Sequence, residues 1–492
     1  MTAQIEMPAG ASTETLKPRM YYNYVDGELL GGPVIKSVEN PATEEECGRY
    51  GAYTAEILDR ALNAADQAFR SWSVTPIVER VAWMKKLAAE LERRREEVIA
   101  LLVAETGKPW SNASYDFGML TTCLNFFGEE VKRLKGEIIP DADGRHIHQL
   151  IRHPLGVVVG YLAWNFPLLN VGYKIGPALA AACTCIIKPS STTPLATALV
   201  GEIMHSINFP KGVVNIVLGD DRKLANRLIE SKIPAMVTMI GSTEAGCKLM
   251  QTASTSVKRY SLELGGNAPV IVYPDFDPAL AAQRTIGLKL GNSGQVCVSP
   301  NRCFVHESIF DQFIEAAVAE MKKFNFGSGK GAEPLMGPIM SKGHFEGLLK
   351  TIEQAKKEGA QIVYGGQPVD KALKPKGHYL MPTLAICDRS IELAREEIFG
   401  PILPVIKWTD ADDVIAWAND CRYGLASYVF TNRMDRANAC AERLEYGSIC
   451  INEPYYSVEL PHGGLKQSGI GKDCSHLSLE EFFTVKRVTI LK

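Results

Sequence analysis

Ile57, Leu58, Ala61, Leu62, Ala65, Ala68 and Phe69 recur at three- and four-residue spacing behind Thr54, a pattern that predicts an amphipathic helix over about 54–72. A second helix is predicted over about 77–105, starting after Pro76 and stopping at Gly107 and Pro109. Its charged run ELERRREE, Glu90 to Glu97, reads as a solvated helix face. From Gly156 the texture changes. The apolar runs VVVGYLA, TCIIKPS, VVNIVLG and AMVTMIG alternate with helical segments, which predicts a doubly wound parallel sheet whose ligand sits at the carboxyl ends of its strands. A second strand and helix series begins at Ser261 with SLELGG and PVIVYP, continues through a helix around Phe310 to Phe324, and runs on to Tyr446. The fold class is therefore α/β, with two such domains. The stretch Lys135 to His153 alternates like an antiparallel strand. With the terminal FFTVKRVTILK it predicts an extended β arm whose edge needs a partner chain to cover it.

Composition narrows the class of protein. The 492 residues are 46% hydrophobic and 22% charged, the balance of an ordinary globular protein with two or three domains. The 53 lysines and arginines against 56 acids leave a net charge of −3, without the basic footprint that nucleic-acid binding requires. No run of ~18 apolar residues is present to span a bilayer. The first 20 residues lack the basic start and apolar run of a secretory signal. The 12 cysteines include no C-x-x-C pair, so no metal site is expected and reduced thiols in the cytoplasm are the simplest reading.

Four segments carry the candidate chemistry: WNFPLL from Trp164, LELGGNAP from Leu262, NSGQVCVSPNR from Asn292 and EEIFGPILP from Glu396. In this order and spacing they resemble the NAD(P)-dependent aldehyde dehydrogenase superfamily, and the resemblance extends from Val25 to Val485. By overall texture the chain is similar to the succinate-semialdehyde branch. The resemblance implies a Rossmann-like cofactor domain over 1–131 and 155–262, a catalytic domain over 263–450, and a bridging arm over 132–154 and 470–492 that joins a homodimer or homotetramer.

It also implies roles for single residues. Cys297 would be the nucleophile, since a thiolate attacks a carbonyl readily once its pKa is lowered. Asn165 would stabilise the resulting oxyanion. Glu263 would be the general base that activates water against the thioester. Members that pass the acyl group to coenzyme A tend to lack this glutamate, so Glu263 opposes a coenzyme A-acylating reading. The trio together opposes a noncatalytic binding or structural protein on the same fold.

No G-x-G-x-x-G fingerprint follows the first strand. The resemblance instead implies NAD or NADP held by Trp164, Lys188, Ser191, Gly241, Ser242, Gly246, Glu397 and Phe399, with Ser242 opening a helix toward the pyrophosphate. Two departures matter. Ser191 stands where many NAD-preferring members carry a glutamate that repels a 2′-phosphate, so dual use of NAD and NADP is expected. Met239 and Ile240 replace an aromatic residue and a threonine that commonly approach the cofactor.

Tyr173 and Gly291 occupy positions where carboxylate-binding arginines often stand in the semialdehyde enzymes. The substrate pocket is expected from Phe166, Asn170, Tyr173, Val296, Tyr455 and Tyr456, which suit an apolar, aromatic or small hydroxylated aldehyde. His462 and Lys466 are the bases left to hold an anionic one.

Overall fold

The computed structural model describes residues 17–492, so most of the stretch read against a secretory signal lies outside the described residues. The first predicted helix is Ala55–Trp72, whose first turn is closed by Thr54 Oγ1 accepting from the Ile57 N–H at 3.4 Å. The second is two helices, Ile77–Arg93 and Arg95–Thr106, broken at Arg94 with φ −100° and ψ 18°. No glycine or proline marks this break. Both halves pack on the helices Trp110–Glu130 and Leu195–Ser206, and only the first also reaches Pro167–Ala180. The charged run pairs along its own helix surface, Arg93 with Glu90 at 2.6 Å and Arg94 with Glu97 at 2.7 Å.

The first sheet has eight strands. Its parallel centre runs Arg259–Glu263, Pro234–Ile240, Val157–Tyr161, Thr184–Lys188 and Val214–Ile216 in space, flanked by antiparallel Gly469–Ile470 at one edge and by antiparallel Asn23–Val25 and then Glu28–Leu30 at the other. The second sheet has seven strands around Pro300–His306 and Ala268–Val272, which pair in parallel. In both, the central strands are buried on two faces, which explains their unbroken Val and Ile runs.

The arm forms as a three-stranded antiparallel sheet in which Phe483–Leu491 pairs along the whole of His146–Pro154, and Glu137–Ile139 covers part of the other edge. The expected arm segment 470–492 is divided. Gly469–Ile470 pairs with Arg259–Glu263 in the first sheet, the helix Ser475–Glu481 packs on Trp110–Glu130 and Pro167–Ala180, and only the last strand joins the arm.

Two buried carboxylates set the loops that matter below. Asp116 pairs with the buried Lys108 at 2.7 Å and accepts the N–H groups of Leu168 and Leu169, tying down the start of the helix Pro167–Ala180 just after Asn165. Glu105 accepts the N–H groups of Leu195 and Ala196 at 2.7 and 2.9 Å, and so fixes the helix that follows the Lys188–Ser191 loop. Both satisfy N–H groups that a helix leaves without internal partners. Glu105→Gln would turn an amide N–H₂ toward one of these donors and should cost about 1–3 kcal/mol of stability, read by denaturant unfolding. An unchanged midpoint would show that the helix start does not depend on this carboxylate.

Candidate active site

Glu263 ends a strand of the first sheet, and Cys297 lies in the loop just before a strand of the second. They meet because LELGG and GQVC touch. A Cβ on Gly266 would lie 2.2 Å from the Cys297 carbonyl oxygen, so only glycine permits this approach. The loop is bent by three successive left-handed residues, Asn292 at φ 48°, Ser293 at φ 58° and Gly294 at φ 73°. For non-glycine residues such backbone costs on the order of 1–3 kcal/mol each and persists only where surroundings hold it. Here Asn292 Nδ2 donates to the carbonyls of Asn165 and Gln295, both at 3.2 Å, and Ser293 Oγ donates to Gly337 at 2.7 Å. The Gln295 side chain donates to Asn292 and accepts from the Met340 N–H at 2.9 Å. The motif NSGQ is thus a set of clamps that aims the cysteine.

Asn165 Nδ2 donates one hydrogen to the Gln295 carbonyl at 3.1 Å. A carboxamide has two such hydrogens, so the second remains for a ligand. Asn165 is 6% exposed and Glu263 5% exposed, and among the described residues Asn165 Oδ1 and Glu263 Oε1 have no hydrogen-bond partner. Burial first, and then the carboxylates Glu263 and Glu397, push the Cys297 thiol well above its ordinary range. Burial likewise raises Glu397 to about 7, against the pull of the Gly266 N–H that it accepts at 2.9 Å.

These groups border one cavity of about 420 Å³. Of the residues expected to hold the cofactor, Trp164, Gly241, Ser242, Glu397 and Phe399 line it, with Trp164 edge-on to Phe399 at 5.3 Å between ring centres. Ser242 caps the helix Thr243–Ala253, its Oγ accepting from Ala245 at 3.2 Å. Lys188, Ser191 and Gly246 are not in the cavity lining. Lys188 ends the strand Thr184–Lys188 and is pushed down to about 8 by burial. Ser191 lies in the next turn, half-buried, and Gly246 packs under Leu264, where a Cβ would come to 2.7 Å.

Among the expected pocket residues, Phe166, Asn170, Tyr173, Val296 and Tyr456 line the cavity. Tyr456 is held by its hydroxyl against that of Tyr428 at 2.6 Å. Tyr455 is 65% exposed and outside the cavity lining, because the loop turns its neighbour inward instead. Of the two bases, His462 lines the cavity, its Nε2 3.5 Å from Glu263 Oε1. Lys466 is spent elsewhere, donating to the carbonyls of Asn419 and Cys421. Ile240 also lines the cavity, an apolar contact where the resemblance implied a polar one.

Sequence reasoning missed Asn112, Tyr115, Leu169 and Leu288 as lining residues. They lie on helices whose periodicity marks buried faces without saying which face meets a cavity. It also missed the buried pair of Lys174 and Asp473, 2.7 Å apart across 299 residues of chain.

The residues around the cavity suit one end of a dinucleotide. Gly265 makes room for the Glu397 carboxylate, since a Cβ there would lie 2.7 Å from Oε2. The start of the helix Thr243–Ala253 borders the same cavity as Trp164, Glu397 and Phe399, and suits an anion.

Residues 33–488 match the aldehyde dehydrogenase family. The glutarate-semialdehyde dehydrogenase of Pseudomonas putida is 34% identical over 474 residues, covering 95% of this chain and 97% of that protein. The lactaldehyde dehydrogenase of Escherichia coli is 35% identical over 477 residues, covering 96% and 98%. Its crystal structure matches with a TM-score of 0.93 at 33% identity, over 97% of this chain and 100% of that one. Betaine aldehyde dehydrogenase from Staphylococcus aureus in complex with NAD⁺ matches with a TM-score of 0.93 at 32% identity, over 97% and 96%. With agreement of this length in both sequence and structure, the chain belongs to the aldehyde dehydrogenase family and oxidises an aldehyde to its carboxylic acid with NAD or NADP.

Proposed function

We propose that the substrate is an uncharged aldehyde with an apolar or aromatic body, and that Cys297, Glu263 and Asn165 carry the reaction. The observation behind the substrate class is the cavity lining. It includes the rings of Tyr115, Phe166, Tyr173, Tyr456 and His462 and, among the described residues, neither lysine nor arginine. A succinate or glutarate semialdehyde would bring a carboxylate into a site that already holds Glu263 and Glu397. The one base present, His462, already faces Glu263. An unpaired charge buried in this way costs several kcal/mol. Benzaldehyde or phenylacetaldehyde should therefore exceed succinate semialdehyde in kcat/KM by about 100-fold or more. The reverse order would assign His462 to an anionic tail and overturn the reading.

In the mechanism the Sγ proton passes to cavity water, and sulfur attacks the carbonyl carbon. The free hydrogen of Asn165 Nδ2 and the Cys297 N–H meet the oxyanion. Lys188 would hold the adenosine ribose, and Glu397 and Phe399 the nicotinamide end. When bound, the oxidised nicotinamide accepts the hydride. The acyl group then remains on Sγ as a thioester. Glu263 takes a proton from water, which attacks the acyl carbon and frees the acid and the thiol. The buried Oε1 of Glu263 supports this role, since among the described residues it accepts no hydrogen bond and has only His462 Nε2 near it, at 3.5 Å.

Ser191 supports use of NADP beside NAD. Its hydroxyl can donate to a phosphate oxygen, and no carboxylate stands there to repel one. Ser191→Glu should shift the kcat/KM ratio toward NAD by ~1–3 kcal/mol. Lys188, held near 8 in the free protein, carries its charge below that pH and loses it above. Preference for NADP should accordingly fall between pH 7 and 9. Strict NAD use at all pH values would show that another residue governs the choice.

The arm carries exposed Ile138, Ile147, Ile151, Val485 and Ile490, an apolar edge that supports a homodimer or homotetramer. All 12 cysteines are free, which supports a reducing compartment such as the cytoplasm.

A further inference from the structure

The mechanism leaves His462 without a task, although it lines the reaction cavity. Its ring lies against Tyr173 and Tyr456, each 6.1 Å away between ring centres. Its main chain exchanges two hydrogen bonds with Asp473, at 2.7 and 2.6 Å. The side chain thus projects from a fixed backbone. One ligating atom each from His462, Glu263 and Cys297 lies within 4.8 Å of the others. Glu263 is 5% exposed and offers an oxygen with no hydrogen-bond partner among the described residues.

We propose that Cys297, Glu263 and His462 form an inhibitory site for a borderline-soft divalent cation of the Zn²⁺ class. The proposal rests on the assignment of Cys297 and Glu263 to the reaction. A sulfur, an imidazole nitrogen and a carboxylate oxygen are the donor set that zinc prefers, and three protein ligands leave a fourth position for water. Magnesium and calcium favour all-oxygen shells and are poor fits.

The distances agree with this. Ligands about 2.0–2.3 Å from one metal at tetrahedral angles stand roughly 3.5 Å apart. The carboxylate and imidazole are already 3.5 Å apart, and the sulfur lies within 4.8 Å of both, so a closing movement of about 1 Å gives the spacing of one metal's ligands. The electrostatics agree as well. Among the described residues the cavity lining holds two carboxylates and no lysine or arginine, so it attracts a cation.

Binding is an exchange of a proton for a metal. The Cys297 S–H bond breaks, the sulfur electron pair forms the S–Zn bond, and one proton leaves to solvent, without oxidation or reduction. The bound state has neither a nucleophile nor a free base. Free zinc would then switch the enzyme off reversibly.

The test uses the whole protein. Aldehyde oxidation should be lost on titration with ZnCl₂, recover with EDTA, and be indifferent to MgCl₂. Zinc should also protect Cys297 from iodoacetamide. Co²⁺ as a spectroscopic probe should give the intense visible bands of a tetrahedral centre with a thiolate charge-transfer band, and Cys297→Ser should abolish the latter. His462→Phe and, as a second variant, His462→Gln should each raise the zinc concentration for half-inhibition by about 10-fold or more. Equal zinc sensitivity in wild type and both variants would overturn the proposal, as would a weak octahedral cobalt spectrum. The cobalt spectrum does not depend on turnover, so a protein inactive toward every aldehyde would refute the proposed reaction while the metal site was still tested.

Discussion

Cys297→Ala should lower aldehyde oxidation by about 10⁴-fold or more while NAD(P) affinity stays within a small factor. The sulfur supplies the bond that converts the aldehyde into something able to lose a hydride, and the other lining groups offer no second nucleophile. Cofactor affinity is spared because the side chains assigned to it, from Trp164 to Phe399, stand on other segments. The loop itself should keep its shape. It is held by Asn292, Ser293 and Gln295, none of whose side-chain bonds involves Sγ. Steady-state turnover measures the first effect and fluorescence titration with NAD(P)H the second. Turnover within tenfold of wild type would remove Cys297 from the mechanism.

Glu263→Gln should slow thioester hydrolysis by about 10²–10⁴-fold, the usual cost of losing a general base, and spare the acylation phase. The trace should show a burst of reduced cofactor followed by slow turnover. The variant should also make Cys297 more reactive. In the native protein the Glu263 carboxylate helps to hold the thiol above its ordinary range, so replacing it with a neutral amide lowers that pKa. More thiolate is then present at any pH below it. Iodoacetamide alkylation near pH 8 should be faster in the variant than in wild type. Equal slowing of both kinetic phases, together with unchanged alkylation, would place Glu263 outside both roles.

The gap between sequence and structure has a physical pattern. Parallel strands such as Val157–Tyr161 and Ala268–Val272 were legible because burial on both faces demands continuous apolar runs. The break at Arg94 was not legible, since no glycine or proline marks it and the apolar periodicity runs on through it. Tyr455 and Tyr456 are indistinguishable by type, yet one is exposed and the other is held inward by Tyr428, a partner 28 residues away.

The sequence by itself determined the fold class and the family, because glycines and clamping amides at fixed spacing encode turns that side-chain chemistry alone would not need. Only the tertiary structure decided which groups share the cavity. It brought His462 to Glu263 and directed Lys466 to the carbonyls of Asn419 and Cys421. It also joined Lys174 to Asp473 in the interior. Such meetings depend on contacts between segments far apart in the chain, where neither periodicity nor local spacing carries information.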